Sequence, residues 1–427
     1  MAWLVRGEVR KLWLGQLVST AGSSITTVAL PLVAVLTLQA SPLQMGLLSA
    51  LTVLPHLVFG LPAGLVVDRV SLRRLLVSAD VGRAVLLGSI PAAAAAGVLQ
   101  MSQLYGVAVL AGVLSLLADT AALTLLPALV PRAELMRANS ASLLTTNVAT
   151  TTGPSVAGFL VQAVSAPFAI LVDALSFVVS AVTMWLIREP ERVAAPERTP
   201  VRLSTGLRVL FADRVLGPLT LSATVGSLFG SMQGPLVVLY LVRELHWSPA
   251  YVGIAVTASG AAAVVGTLVA TAWCNRVGIG RAYLSGQFLS VVSGAALATG
   301  LAPVIYLGQA VSGLGMALFG IPQRTLRQAR IPSHHLGQAT ATWRTVVIGG
   351  QALGAALAGV LGTTVGLRPT LLLSSAGMLI GVLIAAFSPL RTLGRASEWE
   401  VAPNEAEGPP GGVPEPPPQT PPYRRDH

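Results

Sequence analysis

Residues 41–74 read SPLQMGLLSALTVLPHLVFGLPAGLVVDRVSLRR, and residues 248–281 read SPAYVGIAVTASGAAAVVGTLVATAWCNRVGIGR. Without a gap, Ser41, Pro42, Gly46, Ala63, Arg69, Val70 and Arg74 recur as Ser248, Pro249, Gly253, Ala270, Arg276, Val277 and Arg281, while Asp68 meets Asn275. A second block repeats as well: Pro131, Leu135, Ala138, Gly153, Ala157, Gly158 and Leu160 return as Pro332, Leu336, Ala339, Gly354, Ala358, Gly359 and Leu361. The chain is a duplicated module. Two parallel halves of apolar helices are what a two-domain transporter built around a pseudo-two-fold axis requires.

Composition supports this reading. With 53% hydrophobic residues, 10% charged residues and a mean hydropathy of +0.73, the chain holds more apolar surface than a soluble protein of 427 residues can bury. A helix needs about 20 apolar residues to cross the hydrocarbon of a bilayer. Twelve such runs lie near 12–38, 43–67, 75–98, 103–127, 139–165, 167–187, 215–240, 249–273, 282–302, 304–323, 339–363 and 368–388. The expected fold is an all-α integral membrane protein of twelve transmembrane helices in two six-helix bundles.

Arg6, Arg10 and Lys11 lead directly into a run longer than a signal peptide's apolar core, so the first helix is expected to stay. Of the Lys and Arg residues, Arg83 and Arg344 fall within spans and Arg243 and Arg368 at one end, with the rest at the other end. By the positive-inside rule that basic end is cytoplasmic and carries both termini. The net charge of +10 thus reports topology and contact with anionic lipid, and calls for no nucleic acid. Lys11 is the only lysine, a bias that suits a GC-rich bacterial genome, so the expected location is a bacterial plasma membrane. The lone Cys274 permits no intrachain disulfide.

The domain plan is a bundle over 1–188, a charged, proline-punctuated linker over 189–214, a second bundle over 215–390, and a Pro-rich tail over 391–427 expected to be disordered. A monomer is expected, with no cofactor and no metal.

After the second span comes Gly64-Leu-Val-Val-Asp68-Arg69-Val70-Ser71-Leu72-Arg73-Arg74. It resembles the signature loop between helices two and three of the major facilitator superfamily, and with the repeat the resemblance extends over about residues 10–390. The family uses this loop as a conformational latch, which implies such roles for Gly64, Asp68, Arg69, Arg73 and Arg74. Ser71 and Leu72 depart from the family pattern, where Gly and a basic residue are usual, so the latch is expected to lean on Arg73 and Arg74. The fifth span carries Gly153-Pro154 and Gly158, similar to a Gly-Pro motif more typical of the family's exporters than of its importers. Its upstream glycines are replaced by Asn147 and Thr150 to Thr152, so a generic proline kink stays open beside the exporter reading.

Ionisable groups within spans are costly and count as functional candidates. Asp119, in the fourth span, is read either as the latch partner of Arg73 or Arg74 or as a proton-coupling carboxylate; His56 is a second titratable candidate. Asp80 and Arg83 share a face of the third span and suit a structural pair outside the cavity, Asp173 a buried hydrogen bond, and Arg344 either snorkelling or attraction of an anionic substrate. By the fold that the resemblance implies, Gln16, Ser19, Thr20, Ser23, Gln233 and Gln309 line the substrate cavity. Such a largely neutral lining suits a bulky, amphipathic small molecule.

The functional expectation is export of such a molecule, of drug, antibiotic or siderophore type, by proton antiport. The resemblance is strongest to the bacterial branch of siderophore and macrolide exporters. An importer or uniporter of the same fold, and a non-transporting membrane sensor, remain alternatives. The chain has no nucleotide-binding loop and no Ser/His/Asp or metal cluster that would suit an enzyme.

Overall fold

The computed structural model describes residues 7–60, 62–130, 134–188 and 203–394. The expected tail from 395 onward and the linker stretch 189–202 lie outside the described residues.

Fifteen α-helices follow in order: α1 Gly7–Leu32, continued by a π-helical turn Val33–Thr37, α2 Pro42–Phe59, α3 Ala63–Arg69, α4 Leu72–Ala95, α5 Met101–Leu129, α6 Leu135–Val164, α7 Ala166–Trp185, α8 Leu203–Ala212, α9 Leu216–Ser231, α10 Gln233–Arg243, α11 Pro249–Val277, α12 Ile279–Ala298, α13 Ala302–Arg330, α14 Ser333–Thr364 and α15 Leu367–Ala386. Counting α2 with α3 and α9 with α10 as single spans, and leaving out α8, twelve spans result. Ten are long and apolar enough on composition alone. The others, α6 and α12, are diluted by Ser, Thr, Asn, Gln and Gly and take their place by packing.

The repeat reads directly as helix starts. Ser41 caps α2 through a reciprocal pair of bonds, Gln44 N–H to Ser41 Oγ at 3.2 Å and Ser41 N–H to Gln44 Oε1 at 2.8 Å, with Pro42 in the first turn. Ser248 and Pro249 open α11 at the equivalent place. Both starts lie at the end with short loops, opposite the basic end.

In the first bundle α1 packs on α6 and α7, α4 on α5 and α7, and α2 on α5. In the second, α13 packs on α11 and α12, α9 on α14 and α15, and α12 on α15. The bundles join chiefly through α2 with α14 and α6 with α11, and α10 also packs on α2. At the short-loop end these pairs touch backbone to backbone: Gly46 faces Gly359, and Gly158 faces Gly253. Small residues permit the approach that holds helices together where the hydrophobic effect is absent. Toward the basic end α2 and α14 diverge around a cavity of about 620 Å³ lined by His56, Gly60, Leu336, Thr340 and Arg344. The molecule is therefore closed at its short-loop end and open at its basic end.

The end of the linker is helical. Its last part forms α8, which docks on α14, where a side chain at Gly206 would strike Thr342. Asp213 follows as a cap: it accepts from the N–H groups of Val215 at 2.7 Å and Leu216 at 2.9 Å, and Arg330 closes on it at 2.9 Å. Burial works to raise this carboxyl. The hydrogen bonds from Arg330 and from the two N–H groups outweigh it and hold Asp213 below the usual carboxylate range.

Candidate functional site

Each bundle contributes half a cavity. The N-terminal half, about 340 Å³, lies among α1, α4, α5 and α6 and is lined by Gln16, Ser19, Thr20, Asp80, Arg83, Asp119, Asn139 and Thr145, among others. The C-terminal half, about 460 Å³, is lined by amides, hydroxyls and apolar groups that include Gln233, Gln287, Gln323, Gln351, Met316, Phe319, Trp343 and Met378. One half carries charge and the other is neutral along its walls.

Gln16, Ser19 and Thr20 line the N-terminal half and Gln233 the C-terminal half. Ser23 does not: with Thr26 and Ser176 it turns to Asp173, whose carboxylate accepts from Thr26 Oγ1 at 2.5 Å and Ser176 Oγ at 3.1 Å. Asp173 is the buried, hydroxyl-bonded group expected. Gln309 accepts from Ser293 at 3.2 Å and serves α12–α13 packing rather than the cavity. Hydroxyls and amides satisfy one another within a bundle whenever geometry allows, and composition alone cannot say which ones do.

The expectation that α4 stays outside the cavity is corrected. Asp80 and Arg83 do pair, but both also line the N-terminal half. Asp80 accepts from Ser180 Oγ at 2.6 Å, and the Arg83 guanidinium lies 4.1 Å from the Phe177 ring centroid and 3.4 Å from Ser115 Oγ. That arrangement fixes a charged pair rigidly beside Asp119.

Asp119 is exposed into this half and has no hydrogen bond or ion pair among the described residues. The charges in electrostatic reach of it are Arg83, His56 and Arg344, and Asp80 of the neighbouring pair. Three candidates taken separately from the sequence, His56 on α2, Asp119 on α5 and Arg344 on α14, thus belong to one field across the open cleft. The latch pairing of Asp119 with Arg73 or Arg74 is absent from this arrangement. Arg73 lies 5.9 Å from the Trp185 ring centroid of its own bundle, and Arg69 and Arg74 are exposed. Gly64 sits in α3, Ser71 caps α4 by accepting from Arg74 N–H at 3.3 Å, and the Asp68 side chain lies outside the described set.

The Gly-Pro motif of α6 faces two ways. A side chain at Gly153 would strike Ser24 of α1, whereas the Pro154 carbonyl and Gly158 abut α11 at Gly253 and Pro249. Pro154 cannot donate to the helix ladder. The next donor, Ser155 N–H, crosses the bundle interface to Thr257 Oγ1 at 3.0 Å, and the Ser155 hydroxyl bonds the same oxygen at 2.8 Å. These two bonds cross to the other bundle, an arrangement available only while the short-loop end is closed.

Arg327 and Gln323 were missed. The sequence ended the tenth span near 323 and left Arg327 in a loop, but α13 runs on to Arg330 and buries both residues to below 9% exposure. The signal was there: Met316, Phe319, Gln323 and Arg327 follow at spacings that keep one helix face.

Comparison with known proteins agrees with this architecture. The profile of a family described as transmembrane secretion effectors matches residues 1–407. The enterobactin exporter of Salmonella typhimurium is 29% identical over 298 residues, covering 68% of this chain and 70% of that one. An MFS-type transporter of Bacillus subtilis is 26% identical over 399 residues, covering 89% and 91%. A mutant of the nucleoside transporter NupG superposes with a TM-score of 0.77 at 11% identity, covering 88% of this chain and 98% of that one, which speaks for the fold. The relatives are transporters and not enzymes. The chain is a multi-pass membrane transporter that belongs to the transmembrane secretion effector family of the major facilitator superfamily.

Proposed function

We propose that this protein exports a small, amphipathic organic molecule from the cytoplasm in exchange for protons, by rocking two bundles, 1–188 and 215–390, around a site between the two half-cavities. The strap 189–214 joins them, the termini and the 391–427 tail face the cytoplasm, and one copy suffices. With the basic end cytoplasmic, the arrangement described is the inward-open, cargo-accepting state.

The observation that carries the reading is Asp119, a carboxylate with no bonded partner, open to a cavity that opens at the basic end. Closing that end over a charged carboxylate is expensive, and closing it over a protonated one is cheap. Cargo and proton therefore favour different closures, and Arg83, His56 and Arg344 set the field in which the exchange occurs. Gly153-Pro154 and the exporter among the relatives support the outward direction.

The test is accumulation of a panel of dyes, macrolides and siderophores in a bacterium lacking its own pumps. Expression should lower accumulation, and a protonophore or Asp119→Asn should restore it. Uptake that rises on expression would instead identify an importer.

A further inference from the structure

Toward the basic end, the C-terminal half-cavity stops at a charge that nothing in its own bundle neutralises. On α13, Phe319 and Gln323 line the cavity and Arg327 lies one turn beyond. Gln323 is 6% exposed and its amide has no hydrogen-bond partner among the described residues, so a deeply buried amide lines the cavity unused. Arg327 is 8% exposed, and its guanidinium lies 3.5 Å over the ring of Trp343, which lines the same cavity. The Arg327 Nε and Nη1 and the Trp343 Nε1 are all buried without an acceptor.

A guanidinium buried with idle donors costs far more than a neutral amide. Stacking on Trp343 offsets part of this and satisfies no N–H. Among the described residues no carboxylate is at hand: from 216 to 388 the only one is Glu244, which pairs with Arg368 at the short-loop end, and Asp213 is held by Arg330. What the three side chains lack is an oxygen acceptor with negative charge, the ligand that the planar fork of arginine fits best.

We propose that Gln323, Trp343 and Arg327 form an oxyanion subsite of the C-terminal half-cavity, which takes a carboxylate or phosphate group carried on an apolar body. Trp343 is the wall between cavity and guanidinium. An oxygen seated on Gln323 feels the charge through a low-dielectric gap, and a turn of the indole admits direct contact. Met316, Phe319 and Met378 hold the apolar part. The group belongs to the exported molecule or to a lipid headgroup; the first case deepens the exporter reading and rests on it, while the binding itself does not.

Full-length protein in phosphatidylcholine nanodiscs is titrated calorimetrically with 2-naphthoate and with 2-naphthamide, a neutral ligand of the same shape. The wild type should bind the acid at least about tenfold more tightly than the amide. Arg327→Gln should lose that preference while binding the amide as before, which also reports that it is folded. Arg327→Lys should keep part of the preference, and Trp343→Phe, which retains a ring, should weaken it. Adding anionic lipid to the nanodiscs separates the sources: weaker naphthoate binding in the wild type alone assigns the subsite to headgroup phosphate, and unchanged binding assigns it to the cargo. Equal affinity for acid and amide in the wild type, including no binding of either, overturns the proposal, as does a preference that survives Arg327→Gln. Any of these results leaves the efflux assay to stand or fall separately.

Discussion

Gly46 of α2 lies against Gly359 of α14 so closely that a Cβ on the first would sit 2.6 Å, and on the second 3.1 Å, from the partner's Cα. Gly253 and Gly158 make the equivalent contact between α11 and α6. Gly46 and Gly253 are repeat partners in the sequence, and so are Gly158 and Gly359. The duplication thus places the same two glycines on both sides of a pseudo-two-fold axis, each meeting the other's counterpart.

Filling this contact should open the short-loop end. Gly46→Leu forces extra methylenes into a backbone contact, a cost of about 1–3 kcal/mol borne by this state alone. With Cys274→Ser as background and Met45→Cys as reporter, buried at 1% exposure here, labelling by a membrane-impermeant maleimide should speed up about tenfold or more. An unchanged rate would mean that the bundles do not separate along this seam.

Two acidic residues in one half-cavity should answer differently to the same substitution. Asp80→Asn leaves Arg83 buried beside a neutral amide, and breaking a buried pair of this kind costs about 3–5 kcal/mol. Asp119→Asn removes a group with no bonded partner, so its melting temperature should stay near that of the wild type while proton-driven efflux is lost. Comparing thermal unfolding of both variants in one detergent checks the contrast, and equal destabilisation would refute it.

The cross-bundle bond of Ser155 should tune the conformational balance. In Thr257→Val the Ser155 N–H loses its acceptor in this state only, at about 1–2 kcal/mol. The Met45→Cys reporter should then label faster, while Pro154→Ala, which restores an ordinary helix donor, should slow transport without lowering protein abundance.

Asp213 ties the linker to α13 and gives a pH signature. Its carboxyl is depressed, so the stability it contributes is fully present above the unfolded value, about 3.9, and is lost as pH falls through the lower folded value. Asp213→Asn should cost about 1 kcal/mol at neutral pH. Wild type and variant should converge in acid denaturation as the wild-type carboxyl takes up its proton; a gap that widens in acid would contradict the assignment.

The architecture was legible because its signals are local and doubled. Ser41-Pro42 and Ser248-Pro249 mark helix starts by an N-cap serine and a first-turn proline, and Gly46, Gly158, Gly253 and Gly359 mark close approaches that only glycine permits. The site was legible in part, for a different physical reason. These spans are apolar on every side, so the sequence carries little phase to say which polar residue faces the cavity. Ser23 and Gln309 were drawn off by neighbours on α7 and α12, while Asp80 and Arg83 turned inward as a pair. Arg327 looked like a loop cation because an arginine normally ends a span, and its one-face spacing with Met316, Phe319 and Gln323 gains weight only once α13 is seen to run on to Arg330.

The scarcity of carboxylates in the second bundle has a consequence for how the labour of exchange is divided. Its spans hold no Asp or Glu, and their only histidines, His334 and His335, stand at the mouth of α14. Such a half is blind to protons across most of its depth. If protons drive the exchange as proposed, their energy enters through the first bundle, and the second responds only by being pushed. On the proton-exchange reading proposed above, two copies of one ancestral unit have become an engine and a hold, and a molecule built from two second halves would have the shape of the transporter and no drive.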